Sequence, residues 1–337
     1  MCSSDLAAHG QWQLLRARQP IARLIAAPDT DAELKRRLEL VHEARDFATR
    51  ELALPDNMSY RSYSALGRPY VVWNVVAAPE FSIAPLRWCF PISGCVAYRG
   101  YFREANARRF AARLAERGND TLVAGVSAYS TLGRFADPLL DTMLRYGDLE
   151  LVGTIFHELA HQLIYVKDDS EFNEAFEMSV ERAGVARWLV AHNRQAELAG
   201  YQQRQEQQAQ IVRLLGAGRA RLAQLYGQAQ LSAQSPGSQQ SIAGLRARKQ
   251  ALIASTTAAV RDYELQQNLR SGYGAWLDTG LNNAHLASVA TYFDCVPGFE
   301  SLLTEQGGDF RAYYAAVRAL AHGPAAGRRA WCTRLPP

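Results

Sequence analysis

The sequence lacks several features that would assign it to a common class of protein. No run of apolar residues approaches the roughly eighteen that a membrane-spanning helix needs, so we predict no transmembrane helix. The net charge is only +4, the lysines and arginines are scattered, and no basic stripe carries interleaved aromatic residues. Nucleic-acid binding is therefore excluded as a function class.

Cysteines are also few, and their spacing excludes one kind of metal site. Five occur in 337 residues, and no pair has the Cys-x-x-Cys spacing of a structural zinc site. Cys89 and Cys95 are near enough in sequence to close a small loop, and Cys295 could pair with Cys332. Cys2 is then left without a partner.

The N-terminal sequence Met-Cys-Ser-Ser resembles the start of a mature bacterial lipoprotein, in which the cysteine carries lipid. We therefore expect a lipid anchor at Cys2 and a periplasmic, membrane-anchored lipoprotein whose signal segment is not present in this chain. If Met1 is instead the true start, the protein is cytoplasmic and its thiols are free.

The segment His157-Glu158-Leu159-Ala160-His161 carries the strongest chemical signal in the chain. On an α-helix the two histidines stand one turn apart on one face, so both imidazoles can reach a single metal ion, with Glu158 beside them. The spacing of the neighbouring apolar residues supports such a helix, because they form one stripe opposite this polar face: Val152, Ile155, Phe156, Leu159 and Leu163. The motif predicts two zinc ligands and a general base.

A third ligand is expected from a second segment, in which Glu174 is separated from His161 by twelve residues. There Glu174, Glu177 and Glu181 share one face of a second amphipathic helix. A catalytic zinc site needs three protein ligands and one open position, which two histidines and one glutamate provide. Glu174 is the predicted ligand, with Glu177 and Glu181 as alternatives. An ordinary solvated helix face is the competing interpretation.

The groups that would support these ligands are less well determined by the sequence. Metal-bound histidines usually donate their second ring proton to an oxygen, for which Glu181, Asp168 and Asp169 are all candidates. Asn173 is expected to cap the helix that carries Glu174, with a contact to substrate as the alternative.

Long stretches of the chain resemble a bacterial family of putative aminopeptidases, which belongs to the thermolysin-like (gluzincin) zinc peptidases. The resemblance is carried by the motif together with the residues after it, a run that starts at His157 and reads HELAHQLIYVKDDSEFNEAFEMSVERAGVARWL. Four other segments add to it: LGRPYVVWNVVAAPEFS from Leu66, WCFPISGCVAYRGYF from Trp88, AYSTLGRFADPLLDT from Ala128 and NNAHLASVATYFDCVP from Asn282.

This resemblance implies one zinc ion per chain, held by His157, His161 and Glu174, with Glu158 as general base. Related enzymes stabilise the charge on the substrate carbonyl with a tyrosine or a histidine. We predict Tyr292 for that role, with His285 and Tyr165 as alternatives. The resemblance also implies an edge strand at Val126 to Leu132 that pairs with an extended peptide substrate.

The expected fold class is α+β. It consists of a zincin-like catalytic core, with a small mixed sheet and the HExxH helix, surrounded by helices and carrying a long helical-hairpin insertion. The pattern predicts four parts: an N-terminal helical segment (1–55), the catalytic core (56–190), the hairpin (191–270) and a C-terminal helical part that completes the cleft (271–337). The hairpin is predicted from a stretch rich in Gln, Ala, Arg and Leu.

The sequence thus predicts a zinc-dependent peptidase, most simply an aminopeptidase, that binds a peptide substrate. An exopeptidase needs a carboxylate to hold the free ammonium group, for which Glu177 and Glu171 are candidates. An endopeptidase of the same fold remains open. The alternative from a different class is a non-catalytic, zinc-binding envelope lipoprotein that acts as a binding module, but such a protein has no reason to retain Glu158.

Overall fold

The computed structural model describes residue 16 and residues 18–90, 94–128, 130–233, 241–293 and 295–332, and they form a helix-rich α+β protein. The helices are α1 (Ile21–Ala26), α2 (Ala32–Leu52), α3 (Glu104–Ala115), α4 (Asp148–Ala160), α5 (Ser170–Ala191), α6 (Gln195–Ala233), α7 (Ile242–Gln266), α8 (Gly274–Thr279), α9 (Asn283–Phe293), α10 (Val296–Glu305), α11 (Phe310–Ala321) and α12 (Ala325–Cys332). None of these helices is long and apolar enough to cross a membrane.

The strands form three small sheets. They are β1 (Gln19–Pro20), β2 (Ser62–Ser64), β3 (Val72–Pro79), β4 (Trp88–Phe90), β5 (Gly94–Val96), β6 (Arg99–Tyr101), β7 (Asn119–Val126) and β8 (Leu139–Leu140). The main sheet has the antiparallel order β6-β3-β7, β1-β2-β8 is mixed, and β4-β5 is a hairpin.

The main sheet is covered on both faces, which explains the nearly continuous apolar run in β3. Trp73, Val75 and Ala77 pack with residues of α3 on one face. On the other face, Val76 packs with Leu122 and with Ala284 of α9. Among the described strands β7 lies at the edge of this sheet, and it overlaps the predicted edge, Val126 to Leu132, at Val126 alone. The expected edge strand was therefore placed too late in the sequence.

The largest hydrophobic core joins α2, α4 and α5. Phe47 of α2 and Phe156 of α4 both lie against Trp188 of α5, with ring centroids 5.0 and 6.4 Å from that ring. Close approach of α4 and α5 requires a glycine: a Cβ added to Gly184 would lie 2.7 Å from Phe156. This close packing determines which side chains of α4 and α5 meet.

The long helices α6 and α7 pack against each other through a second core, which includes Leu222, Tyr226 and Val260. Lys249 of α7 anchors the pair to the main sheet, because its Nζ lies 2.6 Å from Asp120 Oδ2 and 2.9 Å from the carbonyl oxygen of Glu80. The division of the chain into four parts stays a prediction.

Two disulfides join Cys89 to Cys95 and Cys295 to Cys332, which confirms both expected pairs. The first closes the β4-β5 hairpin, and the second links the start of α10 to the end of α12. Cys2, the expected lipid anchor, lies outside the described residues.

Candidate metal centre

The HExxH motif lies at the C-terminal end of α4. His157 to Ala160 form the last turn of that helix, and His161 is its C-cap residue. Most of the apolar stripe predicted from the sequence is buried, since Val152, Ile155, Phe156 and Leu159 are each at most 1% exposed. Leu163, its last member, lies after the helix ends and is partly buried. The helix is thereby held in the rotation that turns its histidines towards α5.

Helix α5 brings the predicted third ligand to the two histidines. One ligand atom each from His157, His161 and Glu174 lies within 4.8 Å of the other two, and no other group of this kind occurs among the described residues. His157 Nε2 is 3.7 Å from Glu174 Oε2. The described residues thus contain one His-His-Glu triad that could hold a metal ion.

Each of the other two glutamates of the α5 face contacts the second ring nitrogen of one histidine. Glu181 Oε2 lies 3.1 Å from His157 Nδ1. Of the three carboxylates that the sequence offered as partners of an imidazole, Glu181, Asp168 and Asp169, it is therefore Glu181 that orients His157. Glu177 Oε1 lies 3.1 Å from His161 Nδ1, although the two groups are not aligned as a hydrogen bond. Because Glu177 is completely buried, the interpretation of this face as a solvated surface is wrong.

These contacts fit a divalent metal of the zinc type. With Nδ1 of each histidine facing a carboxylate, the Nε2 atoms are left to ligate, and such carboxylates orient metal-binding imidazoles. Two ligand atoms that share a tetrahedral zinc at 2.0–2.1 Å lie about 3.4 Å apart, close to the 3.7 Å between His157 Nε2 and Glu174 Oε2. Two imidazoles and one carboxylate also match the ligand set of catalytic zinc sites.

The electrostatics of the triad favour a cation. Burial disfavours the charged form of His157, but contacts with Glu174 and Glu181 outweigh it and raise the pKa of His157 well above its usual value. Burial also disfavours the charged form of His161, but the charge of Glu177 outweighs it and raises the pKa of His161 to about 9. Burial opposes ionisation of Glu174, yet His157 and His161 lower the pKa of this carboxyl. The carboxylates therefore stabilise positive charge here, which a metal ion can supply in place of the protons.

Glu158, the predicted base, is 8% exposed. Burial raises its pKa, while the charges of His161 and His157 oppose the rise. A pKa nearer to neutrality suits a general base.

Two buried neighbours of Glu158 have no recognisable signal in the sequence. The pKa of Asp137 is raised to about 6, chiefly by burial and in part by the charge of Glu158. Tyr60 is 1% exposed, and burial followed by the charge of Glu158 raises its pKa. Tyr60 lies almost a hundred residues before the motif, and no local pattern marks either residue as part of the site.

The candidates for stabilising the carbonyl charge have different surroundings. Tyr292 lies in α9, but its side chain is outside what the structure describes, so its role stays a prediction. His285 Nδ1 donates to Asn282 Oδ1 over 2.8 Å, and its ring lies 5.2 Å from that of Trp276. Tyr165 interacts with the charges of the site, because its pKa is raised first by burial and then by the charge of Glu177.

Asn173 does not cap α5, contrary to expectation. The N-cap is Asp169, which accepts from the backbone N–H of Phe172. Asn173 instead holds the turn before the helix: it accepts from the N–H of Val166 and donates to the carbonyl of the same residue, both over 2.8 Å. Both the oxygen and the nitrogen of its side chain are bonded to the backbone, and the residue is only 2% exposed, so it is not offered to a substrate.

The fold and the site together define a helix-rich α+β protein whose described residues contain one partly buried His-His-Glu triad that could hold a metal ion. A family model described as "Putative aminopeptidase" matches residues 6–332, and the chain belongs to this family. Comparisons with curated proteins and with solved structures found no match. The family membership indicates a peptidase.

Proposed function

We propose that the protein is a zinc-dependent peptidase of the gluzincin type, most simply an aminopeptidase, which holds one zinc ion through His157, His161 and Glu174. The observation that carries this proposal is the triad itself, whose three ligand atoms lie within 4.8 Å of one another on two adjoining helices. The carboxylates behind both imidazoles and the family membership support it further.

A zinc ion held by these three residues would supply acidification of a bound water and polarisation of the carbonyl group of the scissile bond. Glu158 takes the proton from the water and then delivers it to the leaving amine. Its burial and raised pKa suit both steps, because a weakly basic carboxylate would hold the proton too poorly to transfer it. With the metal bound, Glu181 and Glu177 would hold the one imidazole proton of each histidine on Nδ1, which leaves Nε2 to ligate.

The charge that develops on the carbonyl oxygen needs a donor from the protein. Tyr292 remains our proposal for this donor. Tyr165 is the alternative with support, since the charges of Glu177 and Glu174 act on its hydroxyl. His285 is less suitable, because its ring faces Asn282 and Trp276.

A peptide substrate would bind in an extended form along β7. This strand has β3 on one side and no strand on the other among the described residues. An edge strand can pair with a peptide backbone whatever its side chains. Capture of the free ammonium group of the substrate by Glu177 is unsuitable, because its carboxylate is fully buried against His161. Glu171 in the first turn of α5 remains the candidate.

We also propose a location outside the cytoplasm. The two disulfides support it, because such bonds persist in oxidising compartments.

The test is the substitution Glu158→Gln, with zinc content and peptide hydrolysis measured on the same preparation. We expect about one zinc per chain in both proteins and a loss of hydrolysis of roughly 10²- to 10⁴-fold in the variant. Glu300→Gln is the matched control, because Glu300 is an exposed carboxylate that contacts Arg182 of α5. Unchanged hydrolysis by Glu158→Gln, or a protein without zinc, would refute the proposal. Zinc binding without hydrolysis by either protein would instead favour the binding module.

Comparing a peptide with a free N-terminus and its N-acetylated counterpart decides the type of peptidase. We expect hydrolysis of the free peptide only. Equal cleavage of both would identify an endopeptidase.

A further inference from the structure

The turn between the two ligand helices contains two consecutive aspartates that contact distant parts of the chain. Helix α4 ends at Ala160 and α5 begins at Ser170, so Asp168 and Asp169 lie directly before the helix that carries Glu174. Asp168 has a φ of +68°, a left-handed conformation that aspartate tolerates better than most residues. Each aspartate makes a hydrogen bond to a strand or helix that contains a disulfide cysteine.

Asp168 is bonded to the β4-β5 hairpin, which the Cys89–Cys95 disulfide closes. Its Oδ1 accepts from the backbone N–H of Cys95, and Arg87 Nη2 donates both to its carbonyl oxygen, over 3.1 Å, and to that of Cys95. Gly94 lies so close that a Cβ at this position would collide with the Asp168 side chain. The hairpin and the turn therefore fit against each other without room for a larger residue.

Asp169 is bonded to α12, which the Cys295–Cys332 disulfide ties to the start of α10. Its Oδ2 lies 2.7 Å from Arg328 Nε, and the two side chains are only 17% and 9% exposed. Its Oδ1 accepts from the N–H of Phe172, whose ring also lies beneath the Arg328 guanidinium. One carboxylate thus connects the first turn of α5 to α12.

We propose that Asp168 and Asp169 are positioning residues, through which the two disulfides hold the start of α5 and keep Glu174 in place for the metal. The inference rests on the metal site of the proposed function. It implies that zinc affinity depends on the state of the disulfides. The bond through Asp169 has the larger effect, because that ion pair is mostly buried whereas Asp168 is exposed.

The size of the effect depends on the distance of these residues from the metal. Groups that contact a ligand directly change metal affinity by roughly 10- to 100-fold. Asp169 acts one helical turn from Glu174, so we expect about the lower limit, a 10-fold loss of zinc affinity for Asp169→Asn. The double substitution of Cys295 and Cys332 by serine removes the anchor of the same bond and should cause a similar loss.

Competition between the protein and a zinc-binding indicator dye measures these affinities with zinc alone. Combining Asp169→Asn with the Cys295 and Cys332 substitutions should add little to either change, because both act through one bond. Asp120→Asn is the matched control. Asp120 pairs with Lys249 at 19% and 9% exposure and also accepts a backbone N–H, but it lies on β7 rather than beside α5. It should lower stability without changing zinc affinity.

Hydrogen exchange on the metal-free protein provides a readout that needs neither zinc nor hydrolysis. We expect amides of residues 162–174 to exchange faster in Asp169→Asn than in the native chain, and to be unchanged in Asp120→Asn. The inference is overturned if exchange in this segment does not change, if Asp169→Asn binds zinc as well as the native chain, or if the control loses as much affinity. A protein that binds zinc but hydrolyses nothing would refute the proposed function alone.

Discussion

The three glutamates of α5 predict a graded response of metal affinity to one kind of substitution. Each is changed to glutamine, which keeps the size of the side chain and removes its charge. Glu174 faces His157 Nε2, Glu177 faces His161 Nδ1, and Glu181 faces His157 Nδ1. In the proposed site only the first would bind the metal itself, so only Glu174→Gln would remove a ligand.

The expected magnitudes depend on burial. Loss of a carboxylate behind a metal-bound histidine costs roughly 10- to 100-fold in affinity, or about 1.4–2.7 kcal/mol. Glu177 is completely buried, so no water can replace it, and we expect its change to lie near 100-fold. The Glu181 side chain is 29% exposed, so water can take its place and the change should lie near 10-fold. Glu174→Gln should exceed both.

Competition with a chelator of known affinity measures the zinc affinity of four proteins, the native chain and the three glutamine variants. Glu300→Gln is the control. Glu300 lies on the surface and pairs with Arg182, so its substitution removes a charge next to α5 without touching the triad. We expect no change for the control. A larger loss for Glu177→Gln than for Glu174→Gln would show that the third ligand is wrongly assigned. Equal affinities in all four proteins would refute the metal centre.

Two further predictions concern stability. Burial lowers the pKa of His285 from 6.5 to about 4, so the unfolded chain takes up the proton first as the pH falls. The contribution of the neutral His285 to the free energy of unfolding should therefore be fully present above pH 7 and smaller by about 2 kcal/mol at pH 5. Urea unfolding of His285→Gln at both pH values should lack this contribution, and an equal loss in native and variant chains would contradict it. A Cβ at Gly184 would lie 2.7 Å from Phe156 and 2.8 Å from Leu52, so Gly184→Ala should lower the free energy of unfolding by about 1–3 kcal/mol. Gly227→Ala, where nothing lies within 4 Å, should stabilise α6 slightly, and a destabilisation as large as that of Gly184→Ala would show that crowding is not the cause.

Local patterns in the sequence were sufficient to predict α4 and α5, the helices that carry the His-His-Glu triad. The alternation of apolar and polar residues around His157 depends only on helical geometry, and the structure buries the apolar side as expected. The glutamate face of α5 was visible for the same reason. Both patterns repeat at intervals of three or four residues within one helix.

The pairing of side chains between helices could not be predicted in this way. Which glutamate meets which imidazole nitrogen depends on how α4 lies against α5, and that packing depends on Gly184 and its neighbours. The sequence left Glu181, Asp168 and Asp169 open as partners of an imidazole, and the structure assigns Glu181 to His157. Tyr60 approaches Glu158 through the tertiary fold, so no spacing in the sequence could indicate it.

The most direct test of the central claim is a crystal structure of the zinc-loaded protein, with anomalous data collected at the zinc absorption edge. We expect one strong peak, about 2.0–2.2 Å from Nε2 of His157, Nε2 of His161 and a carboxylate oxygen of Glu174. Glu177 and Glu181 should stay behind the imidazoles. A peak ligated by Glu177 or by an Nδ1 atom, or zinc bound elsewhere in the chain, would contradict this assignment of the ligands.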